Sequence, residues 1–289
     1  MKKRAWIAAL GAFLVVDAGL ALLAVRHLGQ VPDDPDLPAG AVAEETPRTD
    51  QVDFEFDATR SVVMSVANSG TVAYALRGGC GPKDDEARLW VSTNGGRSFK
   101  ERDTDLRTIV AVDLTSDGLE LVGGREGCDT AVQEVSTDDG LSFTDTDVDL
   151  WHLGLTELDE VVSPTRTGTP KCTVTSLVPV GETFARASCT DGGVMGTGDS
   201  GRRWVRLGRL DNVRVMTFSS FTRGYALARF EGCAARSFST DDGGRSWRAG
   251  GCITGDPAQA LAASDNELGA LVGGDFYLSR DAGATYTQP

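Results

Sequence analysis

One short turn motif recurs five times, and its spacing limits what the chain can fold into. It reads Ser92-x-Asn94-x-Gly96 closing on Phe99, then Ser136-x-Asp138-x-Gly140 closing on Phe143, then Thr197-x-Asp199-x-Gly201 closing on Trp204. It returns as Thr240-x-Asp242-x-Gly244 closing on Trp247 and as Ser279-x-Asp281-x-Gly283 closing on Tyr286. The closing aromatics stand 44, 61, 43 and 39 residues apart, the repeat length of a four-stranded antiparallel blade. The motif's chemistry suits the end of a hairpin: the carboxylate or amide accepts N–H groups of its own turn, the hydroxyl adds another bond, and glycine takes a positive φ. The aromatic then enters the core between neighbouring sheets. Carboxylates used in this way hold turns together and are poor candidates for catalysis.

Composition agrees with an all-β chain: 35 Gly in 289 residues, with short apolar runs between turn clusters. The expected fold is a β-propeller of four-stranded antiparallel blades, in one domain from 52 to 289. Five blades follow from the motif, and six if the long interval hides another. That interval is about 18 residues longer than the repeat; the excess, Trp151 to Thr169, reads as an inserted loop or half-helix. Gln51 to Phe56 alternates apolar and acidic residues and is expected to close the ring by pairing with the short last strand.

The five turns resemble those of the bacterial neuraminidase repeat, or Asp-box, proteins, which include sialidases, sortilin-type receptors, xyloglucanases and photosystem assembly-factor propellers. In that family the motif joins the third and fourth strands of a blade. Leu119 to Arg125 and Gly224 to Arg229, each a small apolar strand leading toward a box, look most like the assembly-factor group. The resemblance implies a binding or assembly role, with sialidase-like chemistry as a competing implication.

The N-terminus bears on location. Lys2, Lys3 and Arg4 form a basic segment (1–4) before an apolar stretch from Ala5, long enough at about 1.5 Å per residue to span a bilayer. We read 5–26 as a single-pass transmembrane anchor with the N-terminus inside and the domain extracytoplasmic. Asp17 costs that span about 2 to 3 kcal/mol, which its apolar neighbours offset. Were it a signal peptide and cleaved, the domain would be secreted. Residues 27–51, with Asp33, Asp34, Asp36, Glu44, Glu45 and four prolines among them, read as a stiff, acidic tether. From Gln51 onward 35 acidic residues face 23 basic ones, which argues against nucleic acid as a partner.

Six cysteines in an exported domain read as disulfides. With no C-x-x-C pair and only His27 and His152, neither a metal site nor a cofactor is expected. In a four-stranded meander the loop after strand two and the loop leading to the next blade emerge on one face, and the cysteines map to these loops. Fifteen connectivities are available; the layout favours Cys80 with Cys128, Cys172 with Cys189, and Cys233 with Cys252. On the same face Arg77, Arg125, Arg186 and Arg229 are placed near the ends of second strands. Four guanidinium groups so arranged would form a partial ring able to take carboxylates, phosphates or an acidic peptide; the competing reading is pairing with local acids such as Glu126 or Glu231. Asp103, Asp105, Asp145, Asp147 and Asp149, on fourth strands, read as solvated edges rather than calcium ligands.

A sialidase-type site would need three arginines, a tyrosine activated by glutamate, and an aspartate acid/base. Tyr74 and Tyr225 lie mid-strand, where core aromatics are expected, and two histidines cannot build a Ser/His/Asp or Cys/His site. The chain thus reads as a non-enzymatic envelope propeller that binds a protein or anionic partner, with glycan or cell-wall binding as the alternative and glycoside hydrolysis behind it.

Overall fold

The computed structural model describes residues 56–265 and 267–289. They form six antiparallel sheets arranged as the blades of a propeller. Blade one holds β1 (Val62–Val66), β2 (Val72–Leu76), β3 (Arg88–Ser92) and β4 (Lys100–Arg102). Blade two holds β5 (Thr108–Leu114), β6 (Leu119–Gly124), β7 (Ala131–Ser136) and β8 (Thr144–Thr146). Blade three is small: β9 (His152–Leu153), β10 (Val161–Ser163) and β11 (Arg166–Gly168). Blade four comprises β12 (Val174–Pro179), β13 (Ala185–Cys189), β14 (Gly193–Thr197) and β15 (Val205–Arg209), and blade five β16 (Val213–Phe218), β17 (Gly224–Phe230), β18 (Cys233–Thr240) and β19 (Arg248–Ile253). Blade six has β20 (Ala258–Ala263), β21 (Leu268–Val272) and β22 (Asp275–Ser279), with Thr287 bridging to Leu278 in the place of a fourth strand.

The inner strands pass contact around the ring: β1 lies against β5 and β20, β16 against β12 and β20, and β9 touches both β5 and β12. The core lies between blades. Ala73 and Leu89 of blade one share a cluster with Ile109 and Leu121 of blade two, and Val66 and Val72 share another with Leu271 and Phe276 of blade six. Alanines in the second strands (Ala73, Ala75, Ala185, Ala187, Ala226, Ala228) are fully buried, and their small size lets flat sheets approach closely.

All five turns form the same hydrogen-bond pattern. The hydroxyl donates to the Oδ1 two residues on, at 2.7 to 2.9 Å, and accepts the N–H of the glycine four residues on, at 2.8 to 3.1 Å. That Oδ1 also accepts the N–H of Ser98, Ser142, Arg203, Ser246 or Thr285. The glycines take φ of 79° to 93°. Each aromatic packs on the preceding blade: Phe99 meets Phe276 edge-on at 5.5 Å, Phe143 packs on the Ala73–Leu89 cluster, and Trp247 packs on the cluster holding Val194.

The motif marks five blades, but the ring contains six. Trp151 to Thr169, expected as a loop or half-helix, contributes β9 to β11. Trp151, Leu153 and Val161 join Val110 and Val122 of blade two to Val174 and Ala185 of blade four in one buried cluster. Blade three is therefore a wedge filling the gap between two full blades. Its direction follows from parity. β12 begins at the face carrying Cys172, so the strand before it must rise to that face, and in a three-stranded meander β9 must rise as well. The chain therefore crosses from face to face over residues 147–151, and Trp151, whose indole Nε1 donates to Glu182 O at 3.2 Å, marks the far end.

Among the described residues no helix is long and apolar enough to cross a membrane. The anchor at 5–26, the tether at 27–51 and the strand from Gln51 lie outside the described residues, apart from Phe56, which is in no strand.

Candidate binding face

Three disulfides join Cys80 to Cys128, Cys172 to Cys189 and Cys233 to Cys252, the pairing that the loop layout favours. The first ties blade one to blade two. The others lie closer to the sheets than expected: Cys189 ends β13, Cys233 begins β18, and Cys252 lies within β19 opposite Arg236. Loop placement is thus corrected for these three, because β13, β18 and β19 extend further than their apolar cores suggest.

The four arginines do not form a ring. Arg77, 3% exposed, donates through Nη2 to Gly154 O at 2.8 Å and Leu155 O at 3.1 Å. Its Nη1 is buried without a partner, no carboxylate pairs with it among the described residues, and burial lowers its guanidinium to about 10. Arg125 is engaged, reaching Asp145 at 2.6 Å and the buried Glu134 at 3.4 Å. Arg229 is exposed, near Arg214, whose guanidinium is lowered to about 10 by burial and then by the Arg229 charge. Arg186 is on the wrong face for the ring. It lies at the start of β13, and its Nη2 donates to Phe221 O in the β16–β17 loop, opposite the disulfides.

A further arginine was not singled out by the sequence. Arg60 ends a short 3-10 turn, η1 (Ala58–Arg60), held by Asp57, whose Oδ1 accepts from Thr59 N at 3.0 Å. It is exposed and makes no ion pair among the described residues. Arg60, Arg77, the Cys80 loop, and Leu155, Thr156 and Leu158 of the β9–β10 loop line a pocket of about 850 Å³ on the disulfide face. The signal available beforehand was Arg60's position immediately before a first strand, which puts it at the same end as the cysteines. Arg77 also borders a central cavity of about 440 Å³ along the inner strands, so the residue lines both spaces.

Other candidates are occupied structurally. Asp149 accepts from Gln133 Nε2 at 2.8 Å, Asp145 holds Arg125, and no set of three or more His, Cys, Asp or Glu side chains is grouped to hold a metal among the described residues. Tyr74 stacks on Trp90 at 5.0 Å and meets Phe99 edge-on, with its hydroxyl pKa raised first by burial. Tyr225 is buried in the cluster between blades five and six. Neither lines the central cavity.

No family model matches the chain, and no curated protein matches it. Solved structures do. A lectin of Aleuria aurantia, in complex with Fucalpha1-6GlcNAc, aligns over 81% of this chain and 95% of its own at 11% identity, with a TM-score of 0.50. That likeness supports the propeller fold and nothing finer. YCF48 bound to D1 peptide aligns over 82% and 69% at 17% identity with a TM-score of 0.32. The GH74 xyloglucanase from Xanthomonas campestris aligns over 80% and 38% at 16% identity with a TM-score of 0.36.

Proposed function

We propose that this is a non-enzymatic, extracytoplasmic binding propeller that takes a protein or other anionic partner on its disulfide face. Its role is then in assembling or stabilising an envelope complex, as the resemblance of its turns suggests, with the N-terminal segment as its anchor. The observation that carries the reading is Arg77: a guanidinium nearly sealed from water, without a carboxylate, bordering a pocket that also holds the unpaired Arg60. Buried arginines are ordinarily paired, and an uncompensated one at a cavity marks a place for an external anion. Disulfides stiffen the surrounding loops, which limits the entropy lost on binding. Tyr74 and Tyr225 pack between blades and do not line the central cavity, which supports a non-catalytic reading.

The test is crosslinked affinity purification of the full-length protein from its native membranes, beside an Arg60→Gln/Arg77→Met variant checked for an unchanged melting temperature. A partner captured by wild type and lost by the folded variant supports the reading. Equal capture by both removes the arginine pocket from it. Retention on cell-wall polysaccharide in place of a protein partner would favour glycan binding, and turnover of a fluorogenic glycoside would replace the reading with catalysis.

A further inference from the structure

The face opposite the disulfides holds features that the proposed role does not use. Phe184, from the β12–β13 loop, and Phe221, from the β16–β17 loop, are 39% and 49% exposed. Their rings meet edge-on with centroids 4.8 Å apart, across the boundary of blades four and five. Two large aromatic rings left jointly in water forfeit burial that each could have gained in a core.

Arg186 lies beside them. Its Nη1 and Nη2 donate to Ala185 O and Phe221 O, both at 3.2 Å, its guanidinium stands 5.9 Å from the Phe218 ring centre, and its Nε is buried without a partner. Arg245, exposed, donates through Nη1 to Asp242 O at 2.7 Å. Gly243 stands between them: a methyl group there would be 3.7 Å from Arg186 Nη2 and from Arg245 Nη1. Two like charges thus converge on bare backbone, and neither meets a carboxylate among the described residues. The acids of the adjoining turn are committed. Asp242 serves Thr240, Ser246 and the amides of its own turn, and Asp241 takes Arg248 at 2.9 Å with Arg223 at 4.0 Å. Burial, and after it the charge of Arg245, lowers the Arg186 pKa, as expected where a counter-ion is lacking.

We propose that Phe184, Phe221, Arg186 and Arg245 form a second binding site, independent of the disulfide face, for an acidic peptide segment of a partner protein that carries an apolar side chain. The carboxylate would meet the two guanidinium groups, and the apolar side chain would cover the aromatic pair. A short segment fits better than a broad anionic surface. A domain with 35 acidic and 23 basic residues repels an anionic bilayer as a whole, whereas one or two carboxylates on a peptide feel mainly the local arginines within a Debye length.

The test is a random-peptide display selection on the full-length chain in phosphatidylcholine nanodiscs, followed by anisotropy with the recovered peptides. Arg245→Gln and Phe221→Ser change exposed side chains, and their melting temperatures check that both fold. The selection should enrich acidic residues adjacent to apolar ones. The recovered peptides should bind wild type and Arg60→Gln alike, and should lose roughly tenfold or more in affinity with either Arg245→Gln or Phe221→Ser. Absence of such enrichment, equal affinity for Arg245→Gln, or variant-sensitive binding to phosphatidylglycerol vesicles in place of peptides overturns the proposal.

Discussion

At the scale of single residues, the repeated turn explains why its glycines and carboxylates recur. Gly95 and Gly96 separate two effects. Both have positive φ, 73° and 80°, but Gly95 faces open space while a side chain at Gly96 would collide with the Phe276 ring. Gly95→Ala should therefore cost only the left-handed backbone penalty, about 1 to 2 kcal/mol, and Gly96→Ala clearly more. Equal losses in a denaturant titration would refute the steric account. The carboxylates carry a pH dependence. Hydrogen bonds from Ser142, first from its hydroxyl and then from its amide, hold Asp138 at about 2, and Thr285 does the same for Asp281. Asp242 is pushed up by burial, but bonds from Ser246 and Thr240 outweigh this and bring it well below the usual range. A folded pKa below the unfolded value gives stability that is complete above the unfolded pKa, near 4, and is lost as pH falls through the folded one. Melting temperature should thus drop between about pH 4 and pH 2. The first turn already uses Asn94 in this place, so an Asp138→Asn/Asp242→Asn/Asp281→Asn variant should fold with a shallower acid loss. An unchanged acid profile in that variant would assign the loss to other groups.

At the scale of elements, blade three is where sequence reasoning fell short, for a physical reason. The five turns are legible because each is a local agreement between a side chain and its own backbone. Blade three has no such turn, and its strands are two or three residues long. Its place is fixed instead by packing of Trp151, Leu153 and Val161 against blades on both sides. The disulfide pairing was legible because loop order in a meander decides which loops meet. The fate of Arg77 was not, since its acceptors, Gly154 and Leu155, come from a blade the motif does not mark; nor was that of Arg186, which depends on where β13 begins. If blade three is a wedge, Trp151→Ala should cost about 3 to 5 kcal/mol, because the indole is only 6% exposed and its Nε1 bond to Glu182 O is lost with it. A loss under about 1 kcal/mol, the range of an ordinary surface change, would mean that blades two and four hold together without it.

For the whole molecule, the ring must close between blades far apart in sequence. Among the described residues, blades six and one meet through side chains and share no strand. Asn68 Nδ2 donates to Asp265 Oδ2 at 2.7 Å, and Asp265 N donates to Asn68 Oδ1 at 3.0 Å. Behind them Phe276 inserts between Phe99 and the Gly96 turn. Every other seam joins blades adjacent in the chain, so its contacts close short loops, whereas these contacts span 197 residues. Closing so long a loop costs the most entropy and is compensated only when the intervening blades are already in place. The seam is then among the last contacts to form. Phe276→Ala should remove about 3 kcal/mol of stability, and nearly all of it should appear as faster unfolding, roughly a hundredfold, with the refolding rate little changed. Phe218→Ala, in the cluster between blades four and five, should by contrast slow refolding as well, since its contacts are local. If stopped-flow measurements find that Phe276→Ala slows refolding by as much as it speeds unfolding, the blade six to blade one seam belongs to the folding nucleus and the ring closes early.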